Sequence, residues 1–176
     1  MAMNFGQLQE AFDQYTAAGE QVDAVQLALW FNEALLDLAY DLGGVETLSL
    51  QVAAGEEMPL PEDCLRVVGC DLPCSRLPDG GLRFSAGGSG MLYYRATPSL
   101  FSGTESGESS GLAEPLQHLP ALFAASRYWD LESEGEGEQS NQAAKWMSYY
   151  YQAKNLARLR LDSAAGDAER WQVEKG

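Results

Sequence analysis

Residues able to do chemistry are few in this chain, and their spacing does not suit it. The only histidine, His118, lies between Gln117 and Leu119, with no acid or nucleophile placed to complete a catalytic triad. Three cysteines, Cys64, Cys70 and Cys74, match no zinc-ligand spacing, so reduced thiols in a strand and its following turn are expected. The glutamates from Glu132 to Glu138 could hold a cation weakly. They lack the alternating oxygen ligands and sharp-turn glycine of a calcium loop, which favours a solvated turn. Gly87-Gly-Ser-Gly90 has the glycines of a phosphate loop but neither the Gly-Lys-Ser/Thr continuation nor a following helix, and reads as a hairpin turn. Trp146, Tyr149, Tyr150 and Tyr151 could stack on sugars or bases, yet aromatics at helical spacing are more often core. No catalytic residue, metal site or cofactor site is expected, and elimination favours assembly over catalysis.

The elements that would position these residues are mainly helical. Phe5, Leu8, Phe12 and Tyr15 recur on one face between Asn4 and Ala17, a short amphipathic helix that Gly19 can stop. From Val22 to Leu42 a longer helix carries one stripe of Val25, Leu29, Asn32, Leu36 and Ala39 and a second of Leu27, Phe31, Leu35 and Leu38, ended by Gly43-Gly44. Asn32 is polar among apolar neighbours and should find a facing backbone or side-chain partner. The C-terminal third reads as a helical hairpin, with Leu119, Leu122, Phe123, Ser126 and Trp129 on one arm. Trp146, Tyr149, Tyr150, Ala153, Leu156 and Ala157 line the second. Acid before that arm and Lys145, Lys154, Arg158 and Arg160 along it follow the direction of the helix dipole. Gly166 is the expected end of the arm.

Between the second helix and the hairpin the period changes to two. Four short strands are expected at Glu46–Val52, Cys64–Asp71, Leu82–Ser85 and Met91–Thr97, separated by proline- and glycine-rich turns. The fold class is therefore mainly α with a β insertion: a helical bundle interrupted by a small antiparallel sheet or open barrel. The boundaries are 1–45 for the N-terminal helices, 46–98 for the insertion and 99–113 for a flexible Ser/Gly-rich loop. Residues 114–161 complete the bundle and 162–176 form a tail, on which Trp171 and Val173 are apolar residues that need a partner.

The chain has 176 residues and a net charge of −15, although only 21% of its residues are charged, below the ~25% of an average domain. Scarcity of bases, with none before Arg66, causes the acidity and argues against a surface that grips nucleic acid. No apolar run approaches the ~20 residues of a membrane span, and the start lacks the basic and apolar regions of a secretory signal.

The order of several motifs resembles the head-to-tail connector (adaptor) proteins of tailed bacteriophages. They are Trp30-Phe-Asn-Glu-Ala34, Leu60-Pro-Glu-Asp63, Tyr93-Tyr-Arg-Ala-Thr-Pro98, Leu119-Pro-Ala-Leu122 and Ala143-Ala-Lys-Trp-Met147 with Tyr150. The resemblance implies a virion protein made in the host bacterial cytoplasm. It implies a homo-oligomeric neck ring of about twelve copies, with the portal protein above, a tail or stopper protein below, and DNA passing through without specific binding. It also implies portal docking through a C-terminal segment, for which Trp171 and Val173 are the candidates. An acidic channel would suit this role, because carboxylates repel DNA phosphates. The alternatives are a stopper or other tail-completion protein and, from a different class, an acidic DNA-mimic inhibitor. The modest charged fraction argues against the last.

Overall fold

The computed structural model describes residues 3–18, 21–133 and 138–173, and the side chains of all of these except 138–140 and 164–173. Four helices and two small antiparallel sheets give an α+β fold. Helix α1 (Phe5–Thr16) starts with a capping box, in which Asn4 Oδ1 accepts from Gln7 N and Gln7 Oε1 accepts from Asn4 N. Ala17, with φ 54°, takes the left-handed position that ends the helix, so the stop precedes the expected Gly19. Gly19 itself lies outside the described residues.

Helix α2 (Ala24–Leu42) opens on Asp23, whose carboxylate accepts from Gln26 N at 2.8 Å. Its buried side is Leu27, Ala28, Trp30, Phe31, Ala34, Leu35 and Leu38, whereas Val25 and Leu29 are 56% and 54% exposed. Only the second of the two expected stripes is therefore fully core. Helix α3 (Leu119–Glu132) packs against α1 and against α4 (Glu138–Val173). Ser126 Oγ on α3 donates to Ala143 O at 3.1 Å, and Phe12 meets Tyr128 edge to face at 5.9 Å. Helix α4 begins before Ala143 and runs through Gly166, so the backbone of 162–173 is helix and not the separate tail expected. A helix-interior glycine costs only about 1 kcal/mol, which is a penalty and not a stop.

The chain forms two compact units, one from Met1–Leu38 with Pro98–Gly176 and one from Ala39–Thr97. The second unit holds all six strands: β1 (Val45–Val52), β2 (Glu57–Met58), β3 (Cys64–Cys70), β4 (Cys74–Arg76), β5 (Leu82–Phe84) and β6 (Gly88–Ala96). Strands β1-β6-β3 form one sheet and β2-β5-β4 the other. Strands β2 and β4, of two and three residues, are not among the four expected. Gly87-Gly-Ser-Gly90 is not a turn, because Gly88, Ser89 and Gly90 pair with Val52, Gln51 and Leu50. A Cβ at Gly90 would come within 3.0 Å of Asp71 and 3.1 Å of Leu72, so the glycines make room for a crossing segment. Leu50, Leu82, Phe84, Leu92 and Tyr94 form the core of this unit. Arg95 donates to Gly43 O at 2.7 Å, closing the end of α2 onto the sheet that follows it.

The Ser/Gly-rich segment 99–113 has neither helix nor long strand, yet it is anchored throughout the first unit. Asn32 Nδ2 donates to Phe101 O at 2.9 Å, and Phe101 N donates to Asn32 Oδ1 at 2.8 Å. This two-bond fork seats the Phe101 ring against Phe5 at 5.5 Å and Phe31 at 6.2 Å. Gly103 has φ +79°, and a Cβ there would stand 2.6 Å from Ala24 O, so no other residue fits. Ser106 O and Glu108 O accept from Gly6 N and Phe5 N at 2.9 and 2.8 Å. The first-turn amides of α1, which have no partner within the helix, are satisfied by the segment and by the cap. Ser102 hydrogen bonds through both backbone and hydroxyl to the Glu108 carboxylate, holding its pKa below the ordinary glutamate value.

Replacing Asn32 by Ala leaves the Phe101 amide and carbonyl without partners. The expected loss is about 2–3 kcal/mol of stability, read as a lower urea midpoint at unchanged slope.

Candidate functional site

The residues singled out for chemistry do not converge. His118 is an exposed residue at the start of α3, where burial of part of the ring and the nearby Arg160 lower its pKa. No described nucleophile approaches it within hydrogen-bond distance. All three cysteines are free and half-buried. Among the described residues no group of three His, Cys, Asp or Glu side chains could hold a metal ion, although Glu134 and Glu136 lie outside them. In 99–113, Ser102 bonds Thr104 and the Glu108 carboxylate, and the hydroxyls of Ser109 and Ser110 accept from the amides of Gly111 and Leu112. A depression of about 470 Å³ between β2 and the β4–β5 turn is lined by Glu57, Leu60, Arg76, Asp79 and Gly81 among others. Its acids and single arginine hold no nucleophile–base pair.

The aromatic run of α4 divides between two roles. Tyr150 is 1% exposed and packs on Phe123 at 5.4 Å, while Trp146 stacks on Tyr15 at 4.9 Å. Tyr149 and Tyr151 are exposed. Helical spacing identifies the run, and the 100° step per residue separates its members: Tyr150, Lys154 and Ala157 face inward together.

Burial of Lys154 brings a polar cluster with it. The Lys154 side chain is 7% exposed, and its Nζ lies 2.7 Å from Asp37 Oδ2. The Tyr150 hydroxyl donates to the same carboxylate oxygen. Sequence reasoning placed Lys154 among the bases of a helix dipole and gave Asp37 no role. The available signal was the four-residue step from Tyr150 to Lys154, which puts the ammonium on the aromatic, inward face. An aspartate that reaches solvent with a 44% exposed side chain keeps this charged pair partly hydrated, so the cluster clamps α4 to α2 without an isolated internal charge.

Exposed apolar side chains supply the other unabsorbed feature. On α4, Tyr149, Leu156 and Leu159 are 42%, 60% and 63% exposed, and with Lys145 and Gln152 they recur at three- and four-residue steps along one outward stripe. On α2 the pair Val25 and Leu29 is likewise uncovered. Trp171 and Val173, the candidate docking residues, stand at the end of α4, whose backbone runs through both. Their side chains lie outside the described residues. No described helix is long and apolar enough to cross a membrane.

Several residues of the motifs quoted from the sequence make hydrogen bonds within their own unit. Asn32 makes the fork to Phe101, Asp63 O accepts from Thr97 N at 2.8 Å, Arg95 closes on Gly43, and Tyr150 reaches Asp37. Asp37→Ala should cost about 2 kcal/mol, because it removes the carboxylate that the buried Lys154 ammonium and the Tyr150 hydroxyl share. Lys154→Met should cost less than half as much, since an apolar side chain suits that position. Chemical denaturation of both variants checks the order. No protein-family model and no curated protein matches the chain.

Proposed function

We propose that this chain is a structural subunit of a tailed-phage neck, an adaptor ring that joins the portal to the tail and lets DNA pass through its channel. The observation behind this reading is the outward stripe of Tyr149, Leu156 and Leu159 on α4. Large apolar side chains at helical spacing on a water-facing surface are the mark of a protein contact. Bases at Lys145, Arg158 and Arg160 share that part of the helix, while Val25 and Leu29 lie uncovered in a region without a single Lys or Arg. Two unlike faces of one subunit suit a heterologous, head-to-tail contact, and such contacts close into rings. The order of the connector-like motifs and the acidity of the chain agree with passage of DNA without retention.

Trp171 and Val173 are the proposed portal-docking residues. Truncation after Leu161 removes no described buried side chain, the last being Ala157, so the truncated chain should fold. It should fail to bind the portal, and portal binding at full strength would refute the docking role.

The double substitution Leu156→Glu with Leu159→Glu should leave the thermal midpoint nearly unchanged, since both side chains are largely in water, while converting assembled rings to monomers in light scattering. In purified particles, quantitative mass spectrometry should find this chain in near one-to-one ratio with the portal subunit. Its absence from particles would end the neck reading and favour an inhibitor.

A further inference from the structure

Where α2 begins and α3 ends, the first unit carries a groove of about 180 Å³, room for one large side chain. Trp30 and Tyr128, both buried, form its floor. The Tyr128 ring meets Phe12 edge to face and its hydroxyl donates to Gln21 Oε1 at 3.0 Å, so the floor is fixed. Leu131, 65% exposed, lines the groove from α3. From α2, Gln26 and Trp30 line it, and Val25 and Leu29, each one position earlier, make an uncovered row along its shoulder. The charged residues of the lining are Asp23 and Glu132, both acids. Burial raises the Tyr128 pKa and the charge of Glu132 adds to the rise, which puts that carboxylate within reach of the floor. Arg127, on the same helix, is already bonded to Glu33.

We propose that this groove receives the α4 stripe of a second copy of the chain, with Leu156 at the centre of the contact. The inference rests on the ring reading above and names the two surfaces that the ring would join. Within one copy the contact cannot form, since Tyr150, Lys154 and Ala157 turn the other side of α4 into its own unit and leave Tyr149, Leu156 and Leu159 facing outward. Charge selects the partner. Lys145 lies over the Tyr149 ring at 5.8 Å, and the four-residue step from Leu156 to Arg160 keeps that exposed arginine beside the stripe. Against a rim whose charges are all acidic, these bases favour stripe on groove, whereas groove on groove is repulsive. Trp and Tyr, the residues of the floor, are the types that most often carry binding energy in such pockets. After each addition one stripe and one groove remain open, so pairing continues until a ring closes.

The test mixes two variants of the full chain. Leu29→Glu with Leu131→Glu spoils the groove, and Leu156→Glu with Leu159→Glu spoils the stripe. All four side chains are more than half exposed, so both variants should keep the wild-type thermal midpoint. By light scattering each alone should be monomeric at concentrations where the wild type is assembled. Their equimolar mixture should form dimers and nothing larger, because one intact stripe meets one intact groove and the remaining two surfaces are spoiled. Glu132→Arg should weaken assembly several-fold, and adding Arg160→Glu should restore it. The pairing is overturned by a groove variant that assembles like the wild type, by a mixture that stays monomeric, by a Glu132→Arg chain that Arg160→Glu does not restore, or by a wild type that is monomeric throughout. Dimers in the mixture together with absence of the chain from particles would keep the pairing and end the neck reading.

Discussion

The amide side chain of Asn32 is the contact on which the arrangement of the first unit depends. It presents one donor and one acceptor to Phe101, the same pair that a neighbouring strand would present. A backbone without a sheet or helix of its own is thereby satisfied inside an apolar environment. Seating Phe101 between Phe5 and Phe31 then fixes the course of the following residues, whose carbonyls meet the open amides of α1. One polar residue in an apolar stripe thus organises three segments far apart in sequence.

What could be read beforehand follows from whether the signal was local. Period two over Glu46–Val52 and the glycine stop at Gly43 gave β1 and the end of α2, because both depend on a few adjacent residues. Asn32 could be recognised as a residue requiring a partner, but not which partner, since Phe101 lies 69 positions away. Gly87-Gly-Ser-Gly90 misled for a related reason: its glycines answer to the close approach of Asp71 and Leu72, a tertiary demand that looks like a turn in one dimension. The composition of 99–113 indicated looseness, whereas its hydrogen bonds run to α1 and α2. Period alone puts Val25 and Leu29 on an apolar stripe, and period does not tell which of two apolar faces meets solvent.

The polar groups that come together, at Asn32–Phe101, Asp37–Tyr150–Lys154 and Arg95–Gly43, are mutually satisfied and hold elements in place. The outward stripe of α4 carries Tyr149, Leu156 and Leu159 with Lys145 and Gln152, spaced along a helix, which suits an extended contact surface more than a concave pocket.

The fork between Asn32 and Phe101 also bears on the order in which the chain can fold. It joins the stretch that enters the β unit to the stretch that leaves it, and so closes a loop of nearly seventy residues. Closing an unstructured loop of that length carries an entropic cost that grows with its logarithm, whereas a folded insertion brings the two stretches to fixed ends. Most pairings within the insertion are between strands closer in sequence, and such contacts form faster than distant ones. The physical expectation is that the β unit condenses first and that the fork, with the packing of Phe101, is a late contact completing the helical unit.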